Sequence, residues 1–538
     1  MADKIVKYIG PPGTGKTHTL LQQIAIDADR YGPKNVGAVS LTRAALHEIR
    51  LRISKELSIH HDDIPHIQTM HSHCFRLLQL SRDKVADTPK WIREFNQWEG
   101  GVWKVTEGAG GTDLDDVLIA GTETFGIDTT TLNNDILRGL ANLWRQQLIP
   151  MDRWHTRVAE WFGAWKRFMR ETDLIDYTGM MEAVLHHGWT LPIKVLHIDE
   201  GQDLSPLAHA LAHQFGEVCH TVSWYGDANQ AVYRFCGASP ESFMDLPHTE
   251  KVILDQSYRC SPGIVNYANS VISKCRRWEQ AEYRPCMDYG EGARYFMDEP
   301  DLSLPGTHMI LNRAKYQVEP WIAWLIANGI PYYNPYRKDA AGWNPCDTQI
   351  FKALRTHKAL VRGDDVPLKD FLIMLKHTQA KNCFNARGAK KDADAIARQA
   401  VAQQRLTLSI IDMDKMGFTP AFMEGQGVIG GGLKSAQDFF LIKESNSSAL
   451  LKQMIARGTL DDEPRVVVGT QHSIKGGSAD YVWVDPAWPG RVRQNVIGKA
   501  GTQDYDDEVR LAYVAITRAR RGVGIVHPKR GFDDGCIY

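Results

Sequence analysis

No stretch of this 538-residue chain approaches the ~20 consecutive apolar residues of a membrane-spanning helix, and its N-terminus lacks a signal pattern. Membrane insertion and secretion are therefore not expected, and the chain reads as cytoplasmic. Cysteine is sparse: nine residues, scattered, with no C-x-x-C pair and no histidines at zinc spacing. That argues against a disulfide framework or a structural zinc site and leaves reduced thiols. Neither sign of charge is in excess, with 63 Lys and Arg against 64 Asp and Glu. A global basic signature for nucleic acid is thus missing, and any grip on DNA or RNA must come from a local basic or aromatic groove. What is present is globular: 43% hydrophobic residues and a length that suits several domains of roughly 100–200 residues each.

The most informative stretch is residues 10–17, GPPGTGKT, directly after the apolar run IVKYI. A short strand, a glycine-rich turn and a Lys-Thr opening a helix make a phosphate-binding loop. Gly10, Pro11, Pro12, Gly13, Thr14 and Gly15 form the turn, whose backbone N–H groups converge on phosphate oxygens at the positive end of the helix. Lys16 would reach the β/γ-phosphates and the Thr17 hydroxyl would take a Mg²⁺ position. A plain Gly/Pro turn before a helix does not need all of these residues together.

Further strand-to-helix units follow. Residues 36–53 read as a buried strand and an amphipathic helix, and residues 66–78 repeat the plan with Thr69, His71 and Ser72 at the turn. On its own, His71 reads as a turn or capping residue. Between about 80 and 175 the rhythm stops. The helix expected over 153–171 carries Trp154, Trp161 and Trp165 on one face, a core stripe in preference to a base-stacking surface. Residues 193–206, IKVLHIDEGQDLSP, return to a strand ending in Asp199 and Glu200. One carboxylate can hold Mg²⁺ while the other orients and deprotonates a water. Next come YGDANQAVYRFCGA, with Gln230 and the aromatic pair Tyr233 and Phe235, and LDQSYRCSPGIVNYAN, with Tyr258 and Arg259. A strand and helix occupy 308–333, and residues 345–460 are again mostly helical. A strand–loop–strand at 465–485 and a helix ending in Arg518 before a last strand close the chain.

In this order the segments resemble the UvrD/Rep/PcrA-like superfamily 1A DNA helicases. The match rests on GPPGTGKT, SLTRAALHEI, QTMHSHCFRLL, HIDEGQD, YGDANQAVYRFCGA, LDQSYRCSPGIVNYAN, GTQHSIKGGSADYVWV and RLAYVAITRAR, with TDLIDYTGMM upstream of the paired acids. The resemblance implies an α/β fold of two RecA-like P-loop domains, each with a mostly helical insertion. Residues 1–80 and 176–248 would form domain 1A around insertion 1B (81–175). Residues 249–345 and 461–538 would form domain 2A around a short insertion 2B (346–460).

The resemblance also implies roles. Asp199 would hold Mg²⁺, Glu200 would be the catalytic base, and Gln230 would sense the γ-phosphate. Arg259 and Arg518 would be arginine fingers from the second α/β domain, so that ATP draws the domains together and hydrolysis releases them. Tyr233 and Phe235 would stack on DNA bases, which suits a motor because every base has a π-face. Thr42, His71 and His472 would contact the strand. Three positions depart from the family pattern: residues 1–9 contain no adenine-reading glutamine, His18 stands for an arginine, and Ser478 stands for a glutamate. His18 and Tyr258 would then stack on adenine from either side. The implied protein is a monomeric 3′→5′ ATP-dependent helicase or translocase on single-stranded DNA and ss/ds junctions, working with replication or repair proteins. The alternatives are a translocase that strips proteins from single-stranded DNA and, from another class, a P-loop kinase or switch.

Overall fold

The computed structural model describes residues 2–40, 43–56, 63–86, 89–101, 134–334, 344–403, 406–425, 432–442, 446–528 and 537–538. The chain divides into two compact units. One is Met1–Tyr295 with Trp488–Val523 and Asp534–Tyr538, and the other is Phe296–Ala487 with Gly524–Asp533.

The first unit is built on β1 (Lys4–Ile9), β2 (Val36–Ser40), β3 (His66–Thr69), β4 (Val195–Ile198), β5 (Thr221–Gly226) and β6 (Glu250–Ile253). They form one sheet in the order β3-β2-β4-β5-β1-β6, and every neighbouring pair is parallel. The apolar runs explain this. VGAVS in β2 and VLHI in β4 are buried throughout, as strands of a parallel sheet covered on both faces must be. One face packs Val39, Ile198, Val222 and Trp224 with Leu207, Leu211 and Phe215. The other packs Val36, Ala38, Ile67 and Tyr225 with Leu20, Ile24 and Ile49. Because the strands run one way, Ile9, Ile198 and Gly226 end on one edge of the sheet. Open α/β sheets bind their ligands at that edge. Residues from 249 onward, expected to open the second α/β domain, contribute β6 here, with Ile9 beside Ile253.

Between β3 and β4 stand helices Pro89–Trp98, Asn134–Gln146 and Thr156–Glu171. Trp154, Trp161 and Trp165 lie in their shared core. Trp161 Nε1 donates to Asn134 Oδ1 at 2.5 Å and Trp165 Nε1 donates to Asp176 Oδ2 at 3.0 Å. The tryptophan stripe is therefore packing, as its helical spacing implies.

The second sheet takes β7 (Ala293–Met297), β8 (His308–Asn312) and β9 (Tyr332–Tyr333). After a two-stranded antiparallel pair, β10 (Val366–Pro367) and β11 (Thr407–Leu408), come β12 (Val466–Thr470), β13 (Ala479–Val484) and β14 (Ala519–Val526). Its order is β7-β14-β13-β8-β12-β9, and the boundary between the units falls within β7 and β14. The pairs β13–β8, β8–β12 and β12–β9 are parallel. Helices including Gln349–Arg362, Leu368–His377 and Ala389–Ala402 fill the second interruption. The fold is thus α/β with two six-stranded sheets, each interrupted by helices. Among the described residues no helix is long and apolar enough to cross a membrane.

Candidate nucleotide site and aromatic turn

Residues 10–15 leave β1 and close on themselves before helix Lys16–Tyr31. Thr14 Oγ1 donates to the Pro11 carbonyl at 2.8 Å, and Lys16 Nζ donates to the Gly10 carbonyl at 2.6 Å. Gly13 has a φ of 77°, a left-handed backbone that any Cβ would strain. Space is a second reason for glycine, since a Cβ there would sit 2.6 Å from Arg259 Cβ. Gly15 precedes the helix and offers no capping side chain. The first helical N–H groups are thereby left for an anion, in the manner of phosphate loops.

The loop is strapped by a segment far along the chain. Tyr258 N–H donates to the Gly13 carbonyl at 2.9 Å. Ser257 Oγ and Tyr283 OH donate to the Pro12 carbonyl at 3.4 and 2.8 Å. The Tyr258 ring itself stays 69% exposed. A Cβ built on Gly15 would lie 3.9 Å from Tyr258 Cε2 and 4.0 Å from His18 Cβ. The two residues expected to stack on a base therefore flank the same glycine, and His18 is exposed as well.

Asp199 and Glu200 follow β4 directly. Asp199 is buried, and its N–H donates to the Val39 carbonyl at 2.9 Å, extending the ladder by one residue. Glu200 turns away with a φ of 51°. A non-glycine residue in that region costs on the order of 1–3 kcal/mol and persists only where neighbours enforce it. The backbone on either side is held by the Asp199 N–H bond and by Asp203 N–H donating to the Glu200 carbonyl at 2.9 Å, and Gln202 holds the carboxylate. Its Nε2 donates to Glu200 Oε2, while its Oε1 accepts from the Asp227 N–H at 3.0 Å. Gly226 makes this reach feasible, because a Cβ there would lie 2.5 Å from Gln202 Oε1.

From Asp227 the hydrogen bonds continue. Asp227 accepts from Asn229 N–H at 3.0 Å and from Gln230 Nε2 at 2.9 Å. Burial pushes its carboxyl up, against the opposing pull of Lys16 and the Gln230 amide. Gln230 Oε1 in turn accepts from Arg518 Nη2 at 3.1 Å. Arg518 is 1% exposed and also donates from Nε to the Val514 carbonyl at 3.0 Å. Burial, with the Arg259 cation beside it, brings its guanidinium down to about 9, so it stays charged at neutral pH. Arg259 is half-buried and donates to the Thr517 carbonyl at 3.3 Å. One chain of hydrogen bonds thus links Glu200, Gln202, Asp227, Gln230 and Arg518. The compact unit that holds it also contains Lys16, Asp199 and Arg259.

The donor set near the loop suits a hard cation. The Thr17 hydroxyl and the Asp199 carboxylate offer oxygen ligands of the kind Mg²⁺ takes alongside phosphate oxygens and water. Among the described residues no group of three or more His, Cys, Asp or Glu could hold a metal unaided. A magnesium ion here would share its shell with phosphate.

Tyr233 and Phe235 occupy the short turn after Gln230. Both rings are half-buried, with centroids 6.1 Å apart and planes inclined by 58°, so neither is a closed core side chain. His71 is half-buried and meets Tyr177 edge-on at 5.4 Å, at the turn that Thr69 caps by accepting from Ser72 N–H. His472 lies in the second unit, half-buried in the turn after β12. Thr42 lies outside the described residues. Sequence reasoning assigned no role to Gln202, Asp227, Ser257 or Tyr283. Gln202, Asp227 and Ser257 stand inside HIDEGQD, YGDANQAVYRFCGA and LDQSYRCSPGIVNYAN, where a polar residue just past a strand is the available signal. Tyr283 carried no local signal.

The sequence model described as the UvrD/REP helicase N-terminal domain matches residues 4–251. The ATP-dependent DNA helicase PcrA of Staphylococcus aureus is 23% identical over 283 residues, covering 48% of this chain and 37% of that protein. PcrA of Staphylococcus epidermidis is 24% identical over 287 residues, with the same two shares. The ATP-dependent DNA helicase Rep of Buchnera aphidicola is 21% identical over 606 residues, covering 95% of this chain and 89% of that one. The match therefore spans well under half the length of the PcrA proteins, and nearly all of Rep. Residues 4–251, which carry the phosphate loop and its parallel sheet, thus match the UvrD/REP helicase N-terminal domain, and the whole chain is similar in sequence to Rep.

Proposed function

We propose that this chain is a DNA-stimulated ATPase acting as an ATP-dependent DNA helicase or single-strand translocase of 3′→5′ polarity. The observation that carries the reading is the hydrogen-bonded chain from Glu200 to Arg518. It runs through Gln230, five residues before the half-buried Phe235 ring. A motor that couples nucleotide state to DNA is served by a nucleotide-sensing group next to base-stacking rings, and Gln230 beside Tyr233 and Phe235 supports that reading. The PcrA and Rep relatives, both ATP-dependent DNA helicases, support the same reading.

In this reading Lys16 and the amides of residues 10–15 bind the β/γ-phosphates. Thr17 and Asp199 hold Mg²⁺, which when bound neutralises phosphate charge. Glu200 orients the attacking water and takes its proton. Gln230 contacts the γ-phosphate, while Arg259 and Arg518 supply planar cations for the transferring phosphoryl group. His18 and Tyr258 stack on the adenine. Tyr233 and Phe235 stack on the bases of single-stranded DNA, and Thr42, His71 and His472 touch the strand. The division into 1A (1–80, 176–248), 1B (81–175), 2A (249–345, 461–538) and 2B (346–460) belongs to the same proposal, except that β6 (Glu250–Ile253) goes with the 1A sheet it joins; so do ss/ds junctions as substrates, a monomeric state and replication or repair partners.

The deciding measurement is ATPase activity with and without single-stranded DNA. A clear rise supports the motor, and indifference to DNA would favour a P-loop kinase or switch. Strand-displacement and protein-displacement assays side by side separate unwinding from stripping. Junctions with 3′ or 5′ tails test the polarity.

A further inference from the structure

The turn that carries the two rings contains a third side chain with a different fate. Arg234 stands between Tyr233 and Phe235 in sequence, yet it is buried at 8% exposed while both rings are half-buried. A guanidinium taken out of water needs facing carboxylates. Asp507 Oδ2 lies 3.2 Å from Arg234 Nε, and Glu241 Oε1 lies 3.6 Å from its Nη1. Asp507 is gripped from the other side by Arg510, with Oδ1 and Nη1 3.3 Å apart. Arg510 is 1% exposed and anchored in turn on the Arg277 carbonyl at 3.1 Å.

Asp507 sits near the start of helix Gln503–Ile516, and Arg518 follows that helix's end. The same helix therefore holds the 230–235 turn at two points. Arg518 donates to Gln230 at one end, and Asp507 pairs with Arg234 at the other. Eleven residues at 1.5 Å each set these grips about 16 Å apart. One helix and the residue just past its end therefore hold the turn on both sides of Tyr233.

We propose that the Arg234–Asp507 ion pair is a coupling contact that ties the Tyr233–Phe235 platform to the helix leading into Arg518. A change at Gln230 then moves rings and helix together. The proposal rests on the DNA-stimulated ATPase reading. Arg234 and Asp507 are positioning residues, since neither faces the nucleotide loop or offers a base-stacking ring. A simple brace would stabilise the turn without linking DNA to hydrolysis, and the two roles separate in the kinetics.

The test uses the full chain and an oligo-dT probe, with ATPase measured in its absence and at saturation. Asp507→Asn is expected to keep DNA-free kcat and KM for ATP within about threefold, while DNA-stimulated kcat falls about tenfold or more. Arg234→Gln should do the same, and the double variant should be no worse than either single change, as expected for partners in one contact. Asp507→Glu, which keeps the charge, should recover most of the stimulation. Full stimulation in Asp507→Asn overturns the proposal. So does an equal fall with and without DNA that Asp507→Glu fails to rescue, or a loss of folding, seen by circular dichroism, in both single variants. If the unaltered chain shows no stimulation, the functional reading falls first and the proposal with it. If that chain is stimulated and Asp507→Asn matches it, only the proposal falls.

Discussion

Glu200 has a left-handed backbone and Gln202 holds its carboxylate, so base and tether are separable by mutation. Glu200→Gln preserves shape and removes the base, so ATP should bind while kcat drops roughly 10²-fold or more. Near-normal turnover with DNA present would move the base elsewhere. Lys16→Ala should weaken nucleotide binding as well as turnover. Gln202→Ala leaves base and phosphate loop intact but unties the carboxylate from Asp227. It should lower kcat about tenfold with little change in KM, because orientation and not ground-state binding is lost. A matching rise in KM would make Gln202 a brace of the loop. The positions of GPPGTGKT and HIDEGQD after β1 and β4 were legible, since each motif is contiguous. The Gln202 tether was not, because it exists only where β4 and β5 lie side by side. Selectivity for the nucleotide base follows the same residue logic. Tyr258 and His18 both lie beside Gly15; in the proposed stacking role their faces would accept any purine, whereas edge hydrogen bonds give large discrimination. GTP should therefore support DNA-stimulated hydrolysis within about tenfold of ATP in kcat/KM, and a preference beyond about a hundredfold would reveal an edge-reading group. His18→Ala should raise KM for both nucleotides alike.

Among the elements, two aromatic stripes with similar sequence signatures part company. Trp161 and Trp165, on helix Thr156–Glu171, are each 1% exposed and stack on one another at 5.7 Å. Their spacing of four residues was sufficient to read them as core, since a helix repeats every 3.6 residues. Phe235 sits in a turn with no periodicity to read, and only its half-buried ring separates platform from core. Truncation should make the difference measurable. Trp161→Ala should cost about 3–5 kcal/mol of stability through the cavity it leaves, and the orphaned Asn134 amide adds to that. Phe235→Ala should leave the melting temperature nearly unchanged and DNA-free hydrolysis intact. It should also weaken DNA binding by about 1–3 kcal/mol and reduce translocation per ATP. Normal translocation in that variant would return Phe235 to the core. The β6 strand marks the limit of such reading: its residues signal a strand, but nothing local says which sheet it joins.

At the scale of the whole molecule, buried histidines that folding keeps neutral contribute to acid stability. In the first unit burial lowers His73 to about 3, with His66, Arg76 and Arg50 adding repulsion, and lowers His209 to about 4, with His213 contributing. In the second unit burial brings His357 down to about 4, partly offset by its bond to the Phe422 carbonyl. Unfolded, each titrates near 6.5. Below that pH and above the native value, the unfolded chain binds the extra proton, so stability rises with pH across the window and falls as acid is added. Above pH 6.5 these groups contribute no slope. Each histidine should remove about 1.4 kcal/mol of stability per pH unit on the way down, until its native value is reached. His73 gives the cleanest test, because its Nε2 is buried without a hydrogen-bond partner and a flexible apolar residue of similar size can replace it. Urea midpoints for the full chain and for His73→Met at pH 7, 6 and 5 should diverge. The variant should lose about 1.4 kcal/mol less per unit below 6.5, so that it overtakes the parent in acid even if it starts somewhat weaker at pH 7. Parallel curves would mean that His73 already carries its proton in the folded chain, and the acid limb would then belong to other groups.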